Sequence, residues 1–271
     1  MNIVSNKEAS NTSHTIASPD SDGGWRARLH LDYQRLGEHS VLTHSHVGPL
    51  RVQRPFYPEG EINHTYVLHP PGGLVGNDEL SIHANIHEQA HALITTPGAS
   101  KAYRNVRQAS QLEQNFDIAG TLEWLPQEII LFDDSRLESH STFNLGGEGR
   151  LLMWELQCFG RPAGDLPFKT GEATFSVSIN RQGQPLYHDR LGLAGGHEFM
   201  HAPWGLNGHT AFGAMLAFPA DEALCAQVRA RLNTLAGATA PITAAVSLLN
   251  GVLVVRMLDD QAQNIRKRFV E

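Results

Sequence analysis

Hydrophobic and polar residues alternate with a period of two along much of this chain. Near its beginning, Ala27 and Leu29 alternate with Arg26, Arg28 and His30. Successive side chains of a strand point to opposite faces, so this alternation is typical of a half-buried β-strand. Similar alternation, or a short apolar run between turn residues, predicts further strands at His64–His69, His91–Thr96, Thr121–Leu125, Glu128–Phe132, Arg150–Phe159, Thr174–Asn180, Pro185–Leu193 and Gly251–Leu258.

Two segments have the helical period instead. In Ala220–Leu235, Asp221 can cap the first turn, and apolar residues recur every three or four positions. The second segment is Asp259–Val270. Glycine, proline, asparagine and aspartate separate the strand patterns. The sequence therefore predicts a mainly β fold of stacked sheets, similar to a β-helix or a sandwich, with about two short α-helices near the C-terminus.

The first 24 residues are polar and rich in Ser, Asn, Asp and Thr, which predicts a flexible tail over Met1–Gly24. No linker-like composition divides the remainder, so we expect a single β-rich domain over residues 25–271. The net charge of −7 and the lack of a long basic block argue against a nucleic-acid partner. No apolar run reaches the roughly 18 residues of a membrane span, and no signal peptide is evident, so a cytoplasmic protein without a membrane partner is expected.

The cysteines and histidines of the chain do not by themselves define a catalytic or metal-binding site. Cys158 and Cys225 lie in apolar surroundings and are predicted to be buried thiols. Fifteen histidines are more notable, because imidazole is a common ligand of transition metals. His44 and His46 would share one face of a strand, which makes an all-β metalloenzyme the alternative interpretation. A second, looser metal-binding patch would form if one strand carried all of His83, His87 and His91.

Acidic residues inside apolar strand patterns are a second chemical signal. Glu155 and Asp189 occupy such positions, where a carboxylate is seldom buried unless it is paired or functional. Asp78 and Glu79 follow a glycine-rich turn, and because neighbouring strand residues point to opposite faces, they cannot share one acid–base site. One of these two is expected to be buried and paired with a cation from Arg51, Arg54, Lys101 or Arg104.

The most specific sequence motifs in the chain are rich in glycine and proline, and they span Gly48–Pro58, His69–Leu80 and Thr96–Arg104. They match no nucleotide, nucleophile or zinc fingerprint. Glycine and proline place demands on the backbone, so tight turns are expected to hold nearby polar groups in fixed positions. The residues assigned to this structural motif are Pro70, Pro71, Gly72, Gly73, Gly76 and Lys101.

Five stretches together resemble the family of the urease accessory protein UreD, also called UreH. They are Val47–Pro58, His64–Leu80, Ile94–Arg104, Leu122–Glu128 and Leu151–Pro162. The resemblance extends from about Trp25 to the end of the chain. It implies a mostly β architecture of stacked sheets and a protein that is not an enzyme.

The resemblance also implies partners and a cargo. Members of the family bind UreF, which recruits the GTPase UreG, and the assembly docks on the urease structural subunits to deliver nickel. Nickel is expected to pass through an internal polar route, whose lining matches Asp78, Glu79, Ser100, Glu155 and Asp189. Widely spaced oxygen ligands release an ion more readily than a tight histidine cage. The expected cargo is therefore transient Ni²⁺, with no permanently bound cofactor and no tightly bound metal.

Overall fold

A computed structural model of the protein describes residues 23–105, 108–238 and 243–271. Strand accounts for 55% of the chain and helix for 12%, so the predicted mainly β fold is confirmed. The tail predicted over Met1–Gly24 falls almost entirely outside the described residues and stays a prediction.

The described residues form eighteen strands, two α-helices and two short 3₁₀ turns. The strands are β1 (Arg26–Leu36), β2 (His39–Val47), β3 (Arg51–Val52), β4 (Asn63–Leu68), β5 (Glu79–Ile86), β6 (His91–Thr95), β7 (Ser100–Ala102), β8 (Ser110–Ile118), β9 (Thr121–Trp124), β10 (Ile129–Leu131), β11 (Ser135–Leu145), β12 (Arg150–Arg161), β13 (Leu166–Pro167), β14 (Gly171–Arg181), β15 (Gln184–Ala194), β16 (Ala211–Phe218), β17 (Thr243–Leu249) and β18 (Val252–Asp259). The helices are α1 (Glu222–Ala238) and α2 (Ala262–Val270), and the 3₁₀ turns are Pro162–Gly164 and Glu198–Met200.

Through the central part of the chain, the backbone passes back and forth between two facing sheets. The front sheet has the order β15-β14-β11-β8-β5-β1-β2, and the main path of the back sheet is β17-β18-β16-β12-β9-β6-β4-β3. Neighbours from β1 to β14 in the front sheet are parallel, as are those from β4 to β12 in the back sheet. Parallel strands need a long crossover, usually a helix. Here a strand of the opposite sheet serves as that crossover, which gives the predicted stack of sheets.

We call one passage of the chain through a front-sheet strand and the back-sheet segment that follows it a coil. In-register pairing between the strands of successive coils places inward side chains in continuous rows. One row of the front sheet runs through Leu31, Ala84, Phe116, Phe143 and Ile179, all of them at most 1% exposed. The rings of Phe116 and Phe143 stack with their centroids 4.9 Å apart. Burial of a large apolar side chain stabilises a fold by about 1.5–3 kcal/mol, so such rows supply much of the stability of the coil.

Both helices lie where the sequence predicts them, although each begins later than its pattern suggested. Asp221 accepts a hydrogen bond from the backbone N–H of Leu224 at 2.8 Å, as expected for a capping residue. The buried Ile265 packs α2 against the back sheet, in the same apolar cluster as Trp154 and Cys225. Cys158 and Cys225 are buried free thiols, which confirms that prediction. None of the described helices is long and apolar enough to cross a bilayer.

Strands β8 and β11 were not recognised from the pattern, because polar residues occupy several of their inward positions. Ser110 and Gln114 are buried on β8, and Ser135, Ser139 and Ser141 are buried on β11. These residues break the apolar alternation by which a strand is recognised. The interior is therefore more polar at its centre than the hydrophobic pattern indicates.

Close packing between β16 and α2 requires glycine at position 213. A Cβ atom there would lie 2.5 Å from Cγ2 of Ile265 and 2.8 Å from Cδ2 of Leu156. We predict that Gly213→Ala displaces α2 and lowers the free energy of unfolding by about 1–3 kcal/mol, as overpacking does in other cores. Urea denaturation measures the change.

Gly147→Ala is the matched control, because a Cβ at Gly147 has no atom within 4 Å and the residue has no positive φ. Equal stability of the Gly213→Ala and Gly147→Ala variants would contradict the packing of α2 described above.

Candidate functional site

A cavity of about 400 Å³ lies between the two sheets. Most of its wall is aliphatic and includes Leu74, Leu80, Ile82, Leu112 and Ile129. The exposed residues of the lining are Pro70, Pro97 and Gly98, which places the mouth among the turns that follow β4 and β6. Two of the three motifs singled out in the sequence therefore form the entrance to the cavity.

Four neighbouring polar residues line the inner part of the cavity: Gln114, Ser139, Glu155 and Gln157. Ser141 lies behind them and is hydrogen-bonded to Gln114 and Glu155, and we term these five residues the interior polar cluster. The amide nitrogen of Gln114 lies 3.2 Å from Oγ of Ser141 and 3.5 Å from Oγ of Ser139. Ser141 donates to Oε1 of Glu155 at 2.7 Å, and the amide of Gln157 lies 3.5 Å from Oε2 of Glu155. These hydrogen bonds join β8 and β11 of the front sheet to β12 of the back sheet.

Glu155 is the ionisable group of this cluster. Burial raises the pKa of Glu155 to about 7; the hydrogen bond from Ser141 acts in the opposite direction, and the negative charge of Asp189 raises it further. The carboxyl group is therefore divided between its protonated and ionised forms near neutral pH. A carboxylate poised in this way inside a cavity is a candidate binding group.

Asp189 lies beyond the cavity, on β15, and is held by a cation. Its Oδ2 is 2.7 Å from Nη2 of Arg256 and accepts from the hydroxyl of Tyr187 at 3.0 Å. Burial alone would raise the pKa of Asp189, but hydrogen bonding to Arg256 and the charge of Arg256 lower it. Asp189 and Ser141 share one inward row of the front sheet, each directly opposite Val177. The ion-pair interpretation thus applies to Asp189, whereas Glu155 is bonded to neutral groups.

Asp78 immediately precedes β5 and is buried, whereas Glu79, the first residue of β5, is exposed, so the two do not share a site, as expected; neither lines the cavity. Asp78 is 3% exposed and accepts hydrogen bonds from the backbone N–H groups of Trp25 and Val75, at 2.9 and 2.8 Å. Glu79 is exposed and pairs with Arg26 at 3.1 Å. One of the two acids, Asp78, is buried as expected, but the expected cation partner (Arg51, Arg54, Lys101 or Arg104) is wrong, because backbone N–H groups hydrogen-bond to the buried carboxylate instead.

Ser100 and Lys101 both line the cavity. Ser100 is paired with Ile129 on β10, which is paired in turn with Gln157, so Ser100 shares the inward row of Gln157. The ammonium group of Lys101 lies 3.4 Å from the carbonyl oxygen of Ala99.

The motif residues around Ser100 and Lys101 have packing roles. Gly72 has a φ of +76°, which favours glycine, and a Cβ at Gly73 would overlap Tyr103. A Cβ at Gly76 would overlap Asn105. Pro70 and Pro71 are exposed at the rim of the cavity.

The histidines do not assemble a complete metal site. His44 and His46 share a face of β2, as expected, with ring centroids 6.4 Å apart, and burial lowers the pKa of His44. Among the described residues, no group of three or more His, Cys, Asp or Glu side chains is arranged to hold a metal ion. The metalloenzyme interpretation therefore lacks its third ligand within the described part of the chain.

The predicted patch of His83, His87 and His91 is wrong, because the chain turns from the front sheet to the back sheet between them. His83 is on β5 and lies 3.5 Å from Asp117. His87 follows β5 and pairs with Asp32, whereas His91 begins β6 and pairs with Glu123. Each histidine thus has a different carboxylate partner, two on the front sheet and one on the back sheet.

The hydrophobic pattern does not mark four residues of the interior polar cluster as site residues, namely Gln114, Ser139, Ser141 and Gln157. Inward and outward residues alternate regularly from Ser135 to Leu145, provided that serine is counted as an inward residue. This alternation is the sequence signal that could have identified Ser139 and Ser141. Gln157 lies two residues after Glu155 on one strand and thus on the same face, which was the available signal for the fourth.

The two neighbouring acids 78 and 79 are predicted to differ in their effect on stability. Asp78→Ala leaves two backbone N–H groups without their acceptor, which costs about 2–4 kcal/mol of the free energy of unfolding. Glu79→Ala removes only an exposed ion pair and leaves the free energy of unfolding nearly unchanged. Urea denaturation of both variants checks this, and equal effects would contradict the structural role of Asp78.

Glu155 is predicted to make stability depend on pH. Its pKa in the folded state, about 7, exceeds the ordinary value of 4.5, so the folded protein holds the proton more tightly. The stability that this proton provides is fully present below pH 4.5 and is lost as the pH rises through 7. Glu155→Gln is therefore expected to gain stability over the unmodified protein between pH 5 and pH 8.

Urea denaturation midpoints at the two pH values measure this gain. Glu148→Gln, at an exposed position in the turn between β11 and β12, is the control and is expected to show no pH-dependent gain. A constant difference between the Glu155→Gln and unmodified proteins would exclude titration of Glu155 in this range.

Comparison with known proteins covers nearly all of the chain. The family described as UreD urease accessory protein matches residues 25–271. The urease accessory protein UreD of Citrobacter koseri is 43% identical over 256 residues, which cover 92% of this chain and 85% of that protein. The UreD protein of Pseudomonas entomophila is 41% identical over 260 residues, covering 94% and 89%, and that of Aliivibrio fischeri is 39% identical over 259 residues, covering 92% and 90%. With this extent of similarity, the chain belongs to the UreD family of urease accessory proteins.

Proposed function

We propose that the protein acts in the maturation of urease as a non-enzymatic scaffold that passes nickel through its interior. The observation that carries this proposal is the interior polar cluster at the inner wall of a cavity that opens to the surface. The family assignment supplies the urease context. The nickel ion is a cargo in this proposal, and the protein needs no resident cofactor.

The ligand chemistry of the cluster suits an ion in transit. Glu155 supplies one carboxylate, Gln157 supplies an amide oxygen, and Ser139 supplies a hydroxyl oxygen. Neutral oxygen ligands bind Ni²⁺ less tightly than imidazole or thiolate, so an ion held by this set can leave again. A store for nickel would need several strong ligands around one point.

A second polar group, the half-buried Asp189, lies next to the cluster. The negative charge of Asp189 acts on Glu155, and Asp189 is bonded to Arg256 of β18. In our proposal an ion leaves Glu155 in the direction of Asp189, and Arg256 must give up its ion pair with Asp189 for the ion to be bound there. Ser100 and Lys101 line the same cavity.

Partner proteins would be arranged along this direction. We infer that UreF binds this protein, that UreG is joined through UreF, and that the urease structural subunits receive the nickel. Asp78 and Glu79 contact Trp25 and Arg26 at the start of β1 and so support the fold there. Their part in this function is therefore indirect. The expected setting is the cytoplasm.

Interruption of the polar cluster without damage to the fold tests the nickel route. We predict that Ser139→Leu, which replaces a buried hydroxyl with an alkyl group that can extend into the cavity, lowers nickel per urease active site several-fold at limiting nickel. The experiment co-expresses each variant with urease and the other accessory proteins and measures nickel in the purified urease. Copurification with UreF is measured in parallel and is expected to be retained.

Thr142→Leu is the matched control, since Thr142 lies on the same strand but on the outward face. Full nickel content of urease with Ser139→Leu would contradict the internal route. Loss of nickel with both variants would point to the outer face of β11 and would contradict it as well.

A further inference from the structure

The cavity is larger and more apolar than transfer of a metal ion requires. Four residues of the interior polar cluster contribute to its lining, whereas aliphatic side chains from both sheets form most of the remainder. Trp124, at 2% exposure, adds an aromatic surface to this wall. Pockets of about 300–1,000 Å³ with an apolar wall and a few convergent polar groups are the usual form of a binding site for a small organic molecule.

The polar end of the cavity has an excess of hydrogen-bond acceptors. Gln157 is 2% exposed, and its Oε1 has no hydrogen-bond partner among the described residues. The ionised carboxylate of Glu155 can accept several hydrogen bonds, but within the described chain its side-chain donors are Ser141 and the distant amide of Gln157. A buried acceptor without a donor costs about 1–3 kcal/mol, so a ligand that brings donors is favoured here.

The charge of this end is negative and is not balanced by an ion pair. Within 4.0 Å no Lys, Arg or His nitrogen of the described residues pairs with Glu155. Lys101 lies on the cavity wall, but its ammonium is directed to the carbonyl oxygen of Ala99. His69 also lines the cavity, and burial lowers its pKa, an effect that the charge of Asp78 partly opposes.

We propose that this cavity binds a small primary amine with an apolar body. The ammonium group donates to the carboxylate of Glu155 and to Oε1 of Gln157, and the hydrocarbon part lies against the aliphatic wall and Trp124. A primary ammonium has three donors and no acceptor, which matches the acceptor excess. An anion would be repelled by Glu155, and a pure hydrocarbon would leave Gln157 without a donor.

Lys101 refines the class of ligand. Because Lys101 also lines the cavity, a diamine would bring a second ammonium into the same cavity as the ammonium of Lys101, and like charges repel. The cavity is therefore selective for monoamines over diamines of the same length. This inference goes beyond the nickel-transfer proposal, and each can fail while the other holds. If both hold, the amine and the ion compete for Glu155.

Calorimetry with the full-length purified protein at pH 8 tests the proposal, with benzylamine as the probe and benzyl alcohol as its uncharged analogue. We expect saturable binding of benzylamine at one site and at least about tenfold weaker binding of benzyl alcohol. Hexylamine is expected to bind more tightly than 1,6-diaminohexane. Absence of benzylamine binding up to about 10 mM, near the weak limit for a ligand of this size, would overturn the proposal.

Two variants locate the ammonium group. Glu155→Gln removes the charge and Gln157→Leu removes the unpaired acceptor, and each is expected to weaken benzylamine binding at least tenfold. Glu148→Gln is the matched control on the surface and should bind as the unmodified protein does. Circular dichroism and urea denaturation establish that each variant is folded. Unchanged binding in the folded Glu155→Gln and Gln157→Leu variants would exclude this cavity as the amine site.

Discussion

Parallel strands of successive coils are paired residue for residue, and this register decides which side chains lie inside the protein. A residue on β8 that points inward is matched on β5 and on β11 by residues that also point inward. A shift of one position in any coil would exchange its inner and outer faces. The rows of Phe116 and Phe143, and the polar position of Gln114 beside Ser141, both depend on that register. The apolar rows stabilise it, and the polar cluster is placed in the interior as a consequence.

The same register explains which features were predictable from sequence. β14, with apolar inward residues such as Phe175 and Ile179, follows the period-two pattern and is predicted from it. β8 and β11 were missed because serine and glutamine occupy inward positions, and the four missed site residues come from those two strands and from the neighbour of Glu155 on β12. Local pattern cannot indicate that a polar residue is inside, since that depends on a partner coil distant in sequence. Glu155 and Asp189 were found because a carboxylate in an apolar run is unusual even without that partner.

Acidic residues in this protein show how burial alone fails to identify a binding group. Asp78 is more deeply buried than Asp189, yet each of its carboxylate oxygens accepts a hydrogen bond from a backbone N–H group, of Trp25 or of Val75. Asp189 is engaged by Arg256, which holds its pKa low. Glu155 differs because its partners are neutral and one of them, Gln157, retains an unpaired acceptor. The distinguishing property is the hydrogen-bonding capacity that remains after the local partners are counted.

The turns at the cavity mouth keep the polar cluster at its inner wall accessible from the surface. Gly73 brings its strand-like segment against Tyr103, and Gly72 adopts a conformation that a larger residue resists. These turns keep the segments around Pro70 and Pro97 at the rim, so that the interior remains reachable without a break in either sheet. A metal ion or an ammonium group would enter past the same rim and meet the same carboxylate. The other groups around Glu155 then determine whether the metal ion or the ammonium group is bound. An ammonium group donates hydrogen bonds in three fixed directions, whereas a hydrated metal ion can exchange its water molecules for oxygen ligands one at a time.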